Sequence, residues 1–337
     1  MKESIGRVLV IGAGLAGAAV AWAATRVSYA VTLVSPVRPA SEADSHAPGI
    51  VFGLGPPGSM LDWIDMSGQT MASHVRLREV GRSALVEALL SAERESDLEY
   101  VEHRIDWHGE ATTDLCDRDV DGLAARLAQT GYRVQRAGRS LIGEDAMVSS
   151  RKLTLELLRQ ARGRRADLRL GSEVKGSRSV SVDMVAAEID GEEELFEKIY
   201  WAGSRPIGGS AAEPRVVLHQ RNGAGERPLP GIVQSADGEI VLFPARGRRA
   251  STALRRVGRT SVGGRIAWRE LPGEWRAWVG PTQHQLLSES LARPASVVPD
   301  SDDRVTCVAG LSSWPVASVL GASVEMVGAG PHRDVSG

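Results

Sequence analysis

The stretch RVLVIGAGLAGAAVAWAATRVSYAVTLVS, residues 7–35, leaves the chain little choice of fold at its amino end. RVLVI reads as a short buried strand, and YAVTLVS (29–35) as a second strand rich in β-branched residues. Between them Gly12, Gly14 and Gly17 keep the spacing G-x-G-x-x-G. Gly12 permits a tight turn, Gly14 lets backbone approach a pyrophosphate, and Gly17 lets a helix press on the strand. Ala16, Ala18, Ala19, Ala21, Ala23 and Ala24 suit such a closely packed helix, which begins at Leu15. Its first turn offers N–H groups and the positive dipole end to phosphate. In this strand–turn–helix context the reading is a dinucleotide-binding βαβ unit, with a glycine turn used only for packing as the alternative.

Ser35 ends the second strand, where an acid ordinarily accepts from ribose hydroxyls. A serine makes one such bond and removes the repulsion a carboxylate would exert on a 2′-phosphate. Arg38 follows three residues on. Locally, therefore, a phosphorylated nicotinamide is as compatible with these residues as any other dinucleotide.

Beyond a Pro/Gly/Ser-rich loop, periodicity predicts helices over 68–95 and 118–129, and a third starting after a Ser149 or Ser150 cap. Short strands follow around 167–174, 182–189 and 198–204. From about 214 to 282 the pattern turns to strands and turns, among them RVVLHQ, GEIVLFPA and EWRAWVG, read as an inserted antiparallel sheet. RVTCVAG (304–310) is a closing strand, and Pro315 lies near the first turn of a final helix. The organisation is α/β. A discontinuous Rossmann-like nucleotide domain spans 1–75, 145–212 and 302–330; a substrate domain spans 76–144 and 213–301; 331–337 is a flexible tail.

Net charge of −2 argues against a nucleic-acid or anionic-membrane surface, and the RGRR runs at 162–165 and 246–249 read as solvated loops. Cys116 and Cys307 are too few for a disulfide framework or a cysteine zinc site. No apolar run has spanning length, so the expectation is a cytoplasmic protein with no membrane partner.

The order of these features resembles the D-amino-acid oxidase/glycine oxidase superfamily of FAD-dependent oxidoreductases along nearly the whole chain. SHAPGI (45–50) is similar to that family's Ser-x-x-x-Gly segment, which lies beside the flavin ring. LRLGSEV (168–174) is similar to the strand whose valine faces the adenine, and IYWAGS (199–204) to the strand ending in Ala-Gly near the cofactor. VTCVAGLSSWPVASVLG (305–321) resembles the closing strand, glycine turn and helix, whose turn approaches the pyrimidine edge. The resemblance implies FAD as cofactor, held by Gly12, Gly14, Leu15, Ala16, Gly17, Ser35, Ser45, His46, Val174, Ala202, Gly203 and the turn Gly310-Leu311-Ser312-Ser313. It implies hydride transfer from a small or secondary amine to flavin, with a small-molecule amine as the partner; the atypical substrate strand at 277–285 suits specialised biosynthesis.

Departures concern the substrate. The family's G-L-R-P strand, whose arginine holds a substrate carboxylate, corresponds here to AWVGPTQHQ (277–285), which has no arginine. Arg246, Arg259 and Arg276 are near in sequence and read as solvated surface. The resemblance offers His46 as a covalent flavin attachment point, against the plainer reading of a hydrogen-bonding loop histidine. His284 is the other catalytic candidate, as a polar contact to the flavin or an exposed residue. His103 and His108 flank Trp107, with Glu102 and Asp106 close by; a turn with satisfied histidines is preferred to a metal site, so no metal is expected. Trp268, Trp275 and Trp278 read as core, while Trp314 is placed beside the flavin. Two alternatives stay open: an NADPH-binding reductase, and a degenerate non-catalytic nucleotide-binding protein of the same fold.

Overall fold

The computed structural model describes residues 6–40, 49–56, 60–107, 117–202, 215–224, 228–238, 240–244, 251–257, 273–290, 296–299, 304–309 and 315–328. The βαβ unit forms as its sequence dictates: β1 (Arg7–Ile11), α1 (Leu15–Arg26) and β2 (Ala30–Ser35). β1 sits centrally in a six-stranded sheet of order β16-β17-β10-β1-β2-β6, with β6 at Asp167–Leu170, β10 at Lys198–Trp201, β16 at Ser296–Pro299 and β17 at Val305–Ala309. All its neighbours pair in parallel except β16 against β17.

The two faces of this sheet are covered differently, because β1 alternates its side chains. Val8 and Val10 join a cluster with α1, while Leu9 and Ile11 join one with a small antiparallel sheet of β7 (Val174–Ser179), β8 (Val185–Ile189) and β9 (Glu192–Phe196). Three further helices belong to the α1 side: α3 (Gly68–Leu90), α5 (Ser150–Gly163) and α7 (Val316–Gly328), all of which contribute to its core cluster. Ser67 caps α3 and Ser149 caps α5 through backbone N–H groups three residues on. The helix expected to reach 95 ends at Leu90, and a single 3-10 turn follows at Glu95–Asp97.

The second large sheet has eight strands in the order β15-β11-β14-β13-β12-β3-β5-β4. They are β3 (Glu99–Asp106), β4 (Val134–Arg136), β5 (Ser140–Met147), β11 (Arg215–Ala224), β12 (Gly231–Ser235), β13 (Ile240–Pro244), β14 (Ser251–Val257) and β15 (Val279–Ser290). Every pair is antiparallel except β3 with β12. Short helices α2 (Met60–Asp65) and α4 (Asp117–Gln129) pack on its β3 end through Met60, Trp63, Val120 and Leu123.

Two sequence expectations are corrected here. Residues 103–107, read as a turn, lie on β3 and just beyond it, where Val101, His103 and Ile105 alternate with Glu102 and Arg104. The stretch 274–280, read as a strand, begins as helix α6 (Gly273–Trp278) before β15 takes over at Val279. One helical turn puts Trp275 and Trp278 on the same side, and both pack against the cluster of Val233 and Leu242. The Trp275 indole also donates to the buried carboxylate of Asp106 at 3.1 Å. Trp275 is core, as expected, and half-buried Trp278 packs against that core. Trp268, Trp314, His108 and the tail 331–337 lie outside the described residues.

Candidate cofactor site

The glycine turn closes where the parallel strands end. Gly12 has φ +106, in the region that favours glycine, and its N–H donates to Val34 O at 2.8 Å. Gly14 caps α1 in extended conformation and brings no side chain to that position. The Ala18 N–H completes the first helical turn onto Gly14 O at 2.9 Å. A Cβ on Gly17 would lie 1.9 Å from Gly12 O and 3.5 Å from the Ala202 methyl, so helix and strand are in backbone contact here. Ala202 is fixed beside the turn by its own N–H, which donates to Ile11 O at 2.8 Å. No acid occupies the first turn of α1, which leaves its positive end uncompensated by the helix's own side chains.

Around this turn the other expected contacts distribute unevenly. Ser35 is buried, and its hydroxyl donates to Val37 O at 3.0 Å, while its carbonyl accepts from Gly171 N at 2.7 Å. The proton of that hydroxyl is therefore committed within its own loop, leaving it only an acceptor. Arg38 is exposed. Val174 begins β7 and packs with Ile11 and Val34, the residues at the carboxyl ends of β1 and β2. Trp201, at the end of β10, joins the same cluster with its indole N–H buried and unpartnered. Ser45, His46, Gly203, Gly310, Leu311, Ser312 and Ser313 lie outside the described residues, as do Arg246 and Arg259. His284 is in β15, opposite Gln220 of β11; its side chain, like that of Arg276, is outside the described set.

What the structure adds is the backbone at the end of the SHAPGI segment and just beyond it. Gly49 has φ +68, and a Cβ there would lie 1.8 Å from Val148 O. Gly49 O accepts from Val148 N at 2.9 Å, and Val51 N donates to Ala146 O at 2.8 Å, which adds the segment to the end of β5. On its other side Ile50 O and Val51 O accept from Val316 N and Ala317 N at 2.8 and 2.9 Å. The first turn of α7 is thus spent on this segment rather than on solvent. Gly53 continues the contact, since a Cβ there would meet the Pro315 ring at 2.6 Å. Two stretches 266 residues apart in sequence (Ile50 to Val316), each matched above to a flavin-ring contact, are hydrogen-bonded to each other.

An apolar cluster of Met147, Ile232 and Phe243, with Ile50, Val101 and Val241 against it, covers this segment from the eight-stranded sheet. Beneath it lies His103, named from sequence as a hydrogen-bonded histidine, with a partner, Asp145, that sequence reasoning missed. Asp145 is fully buried; its Oδ1 accepts from Phe52 N at 2.8 Å and Ala146 N at 2.7 Å, and its Oδ2 lies 2.8 Å from His103 Nδ1. Since the carboxylate only accepts, His103 carries its proton on Nδ1. Buried Arg78 lies over the Tyr132 ring at 4.1 Å. Burial pulls the Arg78 guanidinium below its ordinary value, against the attraction of Tyr132, Glu79 and Asp145. Burial likewise pushes the Tyr132 phenol up to about 12. Among the described residues no group of three His, Cys, Asp or Glu side chains is placed to hold a metal ion, and no helix is long and apolar enough to cross a membrane.

No curated protein matches the chain. Solved structures do. Glycine oxidase from Geobacillus kaustophilus superposes with TM-score 0.64 at 18% identity, covering 95% of each chain. L-proline dehydrogenase from P. horikoshii gives 0.66 at 13% identity, over 97% of this chain and 93% of its own. Iminodiacetate oxidase from Chelativorans sp. BNC1 gives 0.65 at 16% identity, over 95% and 94%. At such identities the agreement is one of fold. The sequence itself matches the family model for FAD-dependent oxidoreductases over residues 7–199, more than half of its length and including the glycine turn, and by that match the chain belongs to the family of FAD-dependent oxidoreductases.

Proposed function

We propose that the chain oxidises a C–N bond of a small or secondary amine in the cytoplasm, as a step of specialised biosynthesis. The residues present fit FAD. Gly14 starts α1 without a side chain, the turn opens on the uncompensated positive end of that helix, and Val174 closes the far side of the strand ends. In this reading Gly12 makes the turn, Gly14 admits the pyrophosphate, Gly17 lets α1 lie close on the strand, Leu15 and Ala16 present the phosphates with backbone, and Ser35 accepts from the ribose. Ser45, His46, Gly203 and the turn 310–313 are assigned to the flavin half by the same reading. When bound, FAD supplies the hydride acceptor.

The observation that carries the proposal is the union of 49–53 with the first turn of α7 under an apolar patch. Ile50, Met147, Ile232 and Phe243 exclude water from that side of the segment. Low polarity disfavours an ammonium, so the amine is held neutral, with its lone pair available. Orientation then does the work, and no protein base is required. The absence of an arginine in 277–285 favours a substrate gripped by shape over one gripped by its carboxylate. Solved structures of the same fold include an enzyme of iminodiacetate and one of proline, both secondary amines.

Anaerobic reduction of the bound flavin by a panel of amines tests this. Small secondary amines are expected to bleach the flavin faster than primary α-amino acids of equal size. A flavin reduced by NADPH and by none of the amines would overturn the proposal.

A further inference from the structure

The buried group around Asp145 has no part in the glycine turn, yet it converges on one short piece of backbone. Asp145 takes Phe52 N; Arg78 donates to Gly53 O at 3.5 Å and to Gly131 O at 3.4 Å, long bonds for a guanidinium so deeply buried. With Ile50 O and Val51 O given to α7, each residue from 50 to 53 has a backbone group tied to another element. A buried guanidinium recovers little of its desolvation through bonds this long, and apolar packing would stabilise the fold at least as well. What such a cluster supplies that apolar packing does not is a fixed register for the backbone it bonds.

We propose that Asp145, oriented by His103, is a positioning residue that pre-organises the segment 50–53 for the flavin ring. The inference rests on the placement of that ring beside this segment, given under the proposed function. Phe52 N is 2.8 Å from Asp145 Oδ1, and His103 Nδ1 is 2.8 Å from Oδ2, so the imidazole sets which way the carboxylate faces. His103 Nε2 is buried without a partner, so the ring contributes through Nδ1 alone. Without this pair the segment is ordered anew at each binding event, and affinity falls by that cost.

The test is titration of apoprotein with FAD, together with the visible spectrum of the bound flavin. Asp145→Ala and His103→Phe are each expected to weaken binding on the order of ten- to a hundred-fold and to blur the resolved flavin band. His103→Asn places an amide N–H where Nδ1 stood and is expected to restore affinity to within about three-fold of the wild type. If Asp145→Ala does not fold, the two His103 variants carry the comparison. Wild-type affinity in His103→Phe, or failure of His103→Asn to recover it, would overturn the proposal. Gly49→Ala separates the two levels, because it strains the segment directly. A flavin spectrum indifferent to Gly49→Ala would remove the ring from this segment and the proposal with it. A spectrum sensitive to Gly49→Ala but indifferent to Asp145→Ala would remove the positioning role alone.

Discussion

Single atoms set the character of the glycine turn. A methyl group on Gly17 would reach 1.9 Å from the Gly12 carbonyl oxygen, so Gly17→Ala is expected to cost on the order of 1–3 kcal/mol by overpacking, measured by urea unfolding. Gly14 is different, since its role is to leave space. Gly14→Val is expected to fold and yet to purify without flavin. Ser35 was the residue the sequence made most of, as a missing ribose acid. Its hydroxyl proton bonds Val37 O, so Ser35→Ala is expected to destabilise the loop by about 1 kcal/mol and to change FAD affinity by less than about three-fold. A larger loss of affinity in a titration would make Ser35 a principal ribose contact. The glycines were legible because each answers to a local geometric need. The pairing of Asp145 with His103 was not, because 42 residues separate them and only the pairing of β3 with β5 brings them together.

Elements transmit position between these sites. α3 and α7 cross in backbone contact: a Cβ on Gly81 would lie 1.5 Å from Ala317 O, and one on Gly321 would lie 1.8 Å from Leu77 O. Since the first turn of α7 holds Ile50 and Val51, spreading this crossing moves the proposed ring segment as well. Gly321→Ala is expected to lower the melting temperature and to raise the FAD dissociation rate together; a stability loss with unchanged dissociation would uncouple them. The same helix α3 shows where sequence reading stopped short. A domain boundary at 75/76 divides it, whereas Ala84, Leu85, Ala88 and Leu89 pack in the core cluster of α1 and α7. β3 escaped notice because Glu102 and Arg104 alternate with a buried histidine, which hides its period of two. EWRAWVG misled in the opposite direction, as two tryptophans three apart fit a helical turn as readily as an aromatic strand.

Across the whole molecule, stability and cofactor binding answer to different charges. Glu156 is held below the ordinary glutamate value of 4.5 by hydrogen bonds from Arg159 and then Gln160, and Glu194 by Arg169 and then Arg7. Folded values below unfolded ones mean stability present above about pH 4.5 and lost as pH falls through the folded values. His74, lowered from 6.5 by burial, adds an earlier loss that begins as pH falls below that value. Unfolding midpoints between pH 7 and 3 are expected to fall in these two stages, and a flat profile would contradict the assignment.

The β1–α1–β2 unit, its glycine turn and the closing helix were visible in sequence because each is local. The docking of the closing helix on 49–53 was not. The central claim is that this union, with the turn, holds FAD. It is tested by the absorption spectrum and cofactor content of the purified protein beside Gly14→Val. The expected result is a yellow wild type with stoichiometric FAD and a colourless, folded variant. A colourless wild type stabilised against heat by NADPH and not by FAD, or a variant with full flavin content, would contradict it.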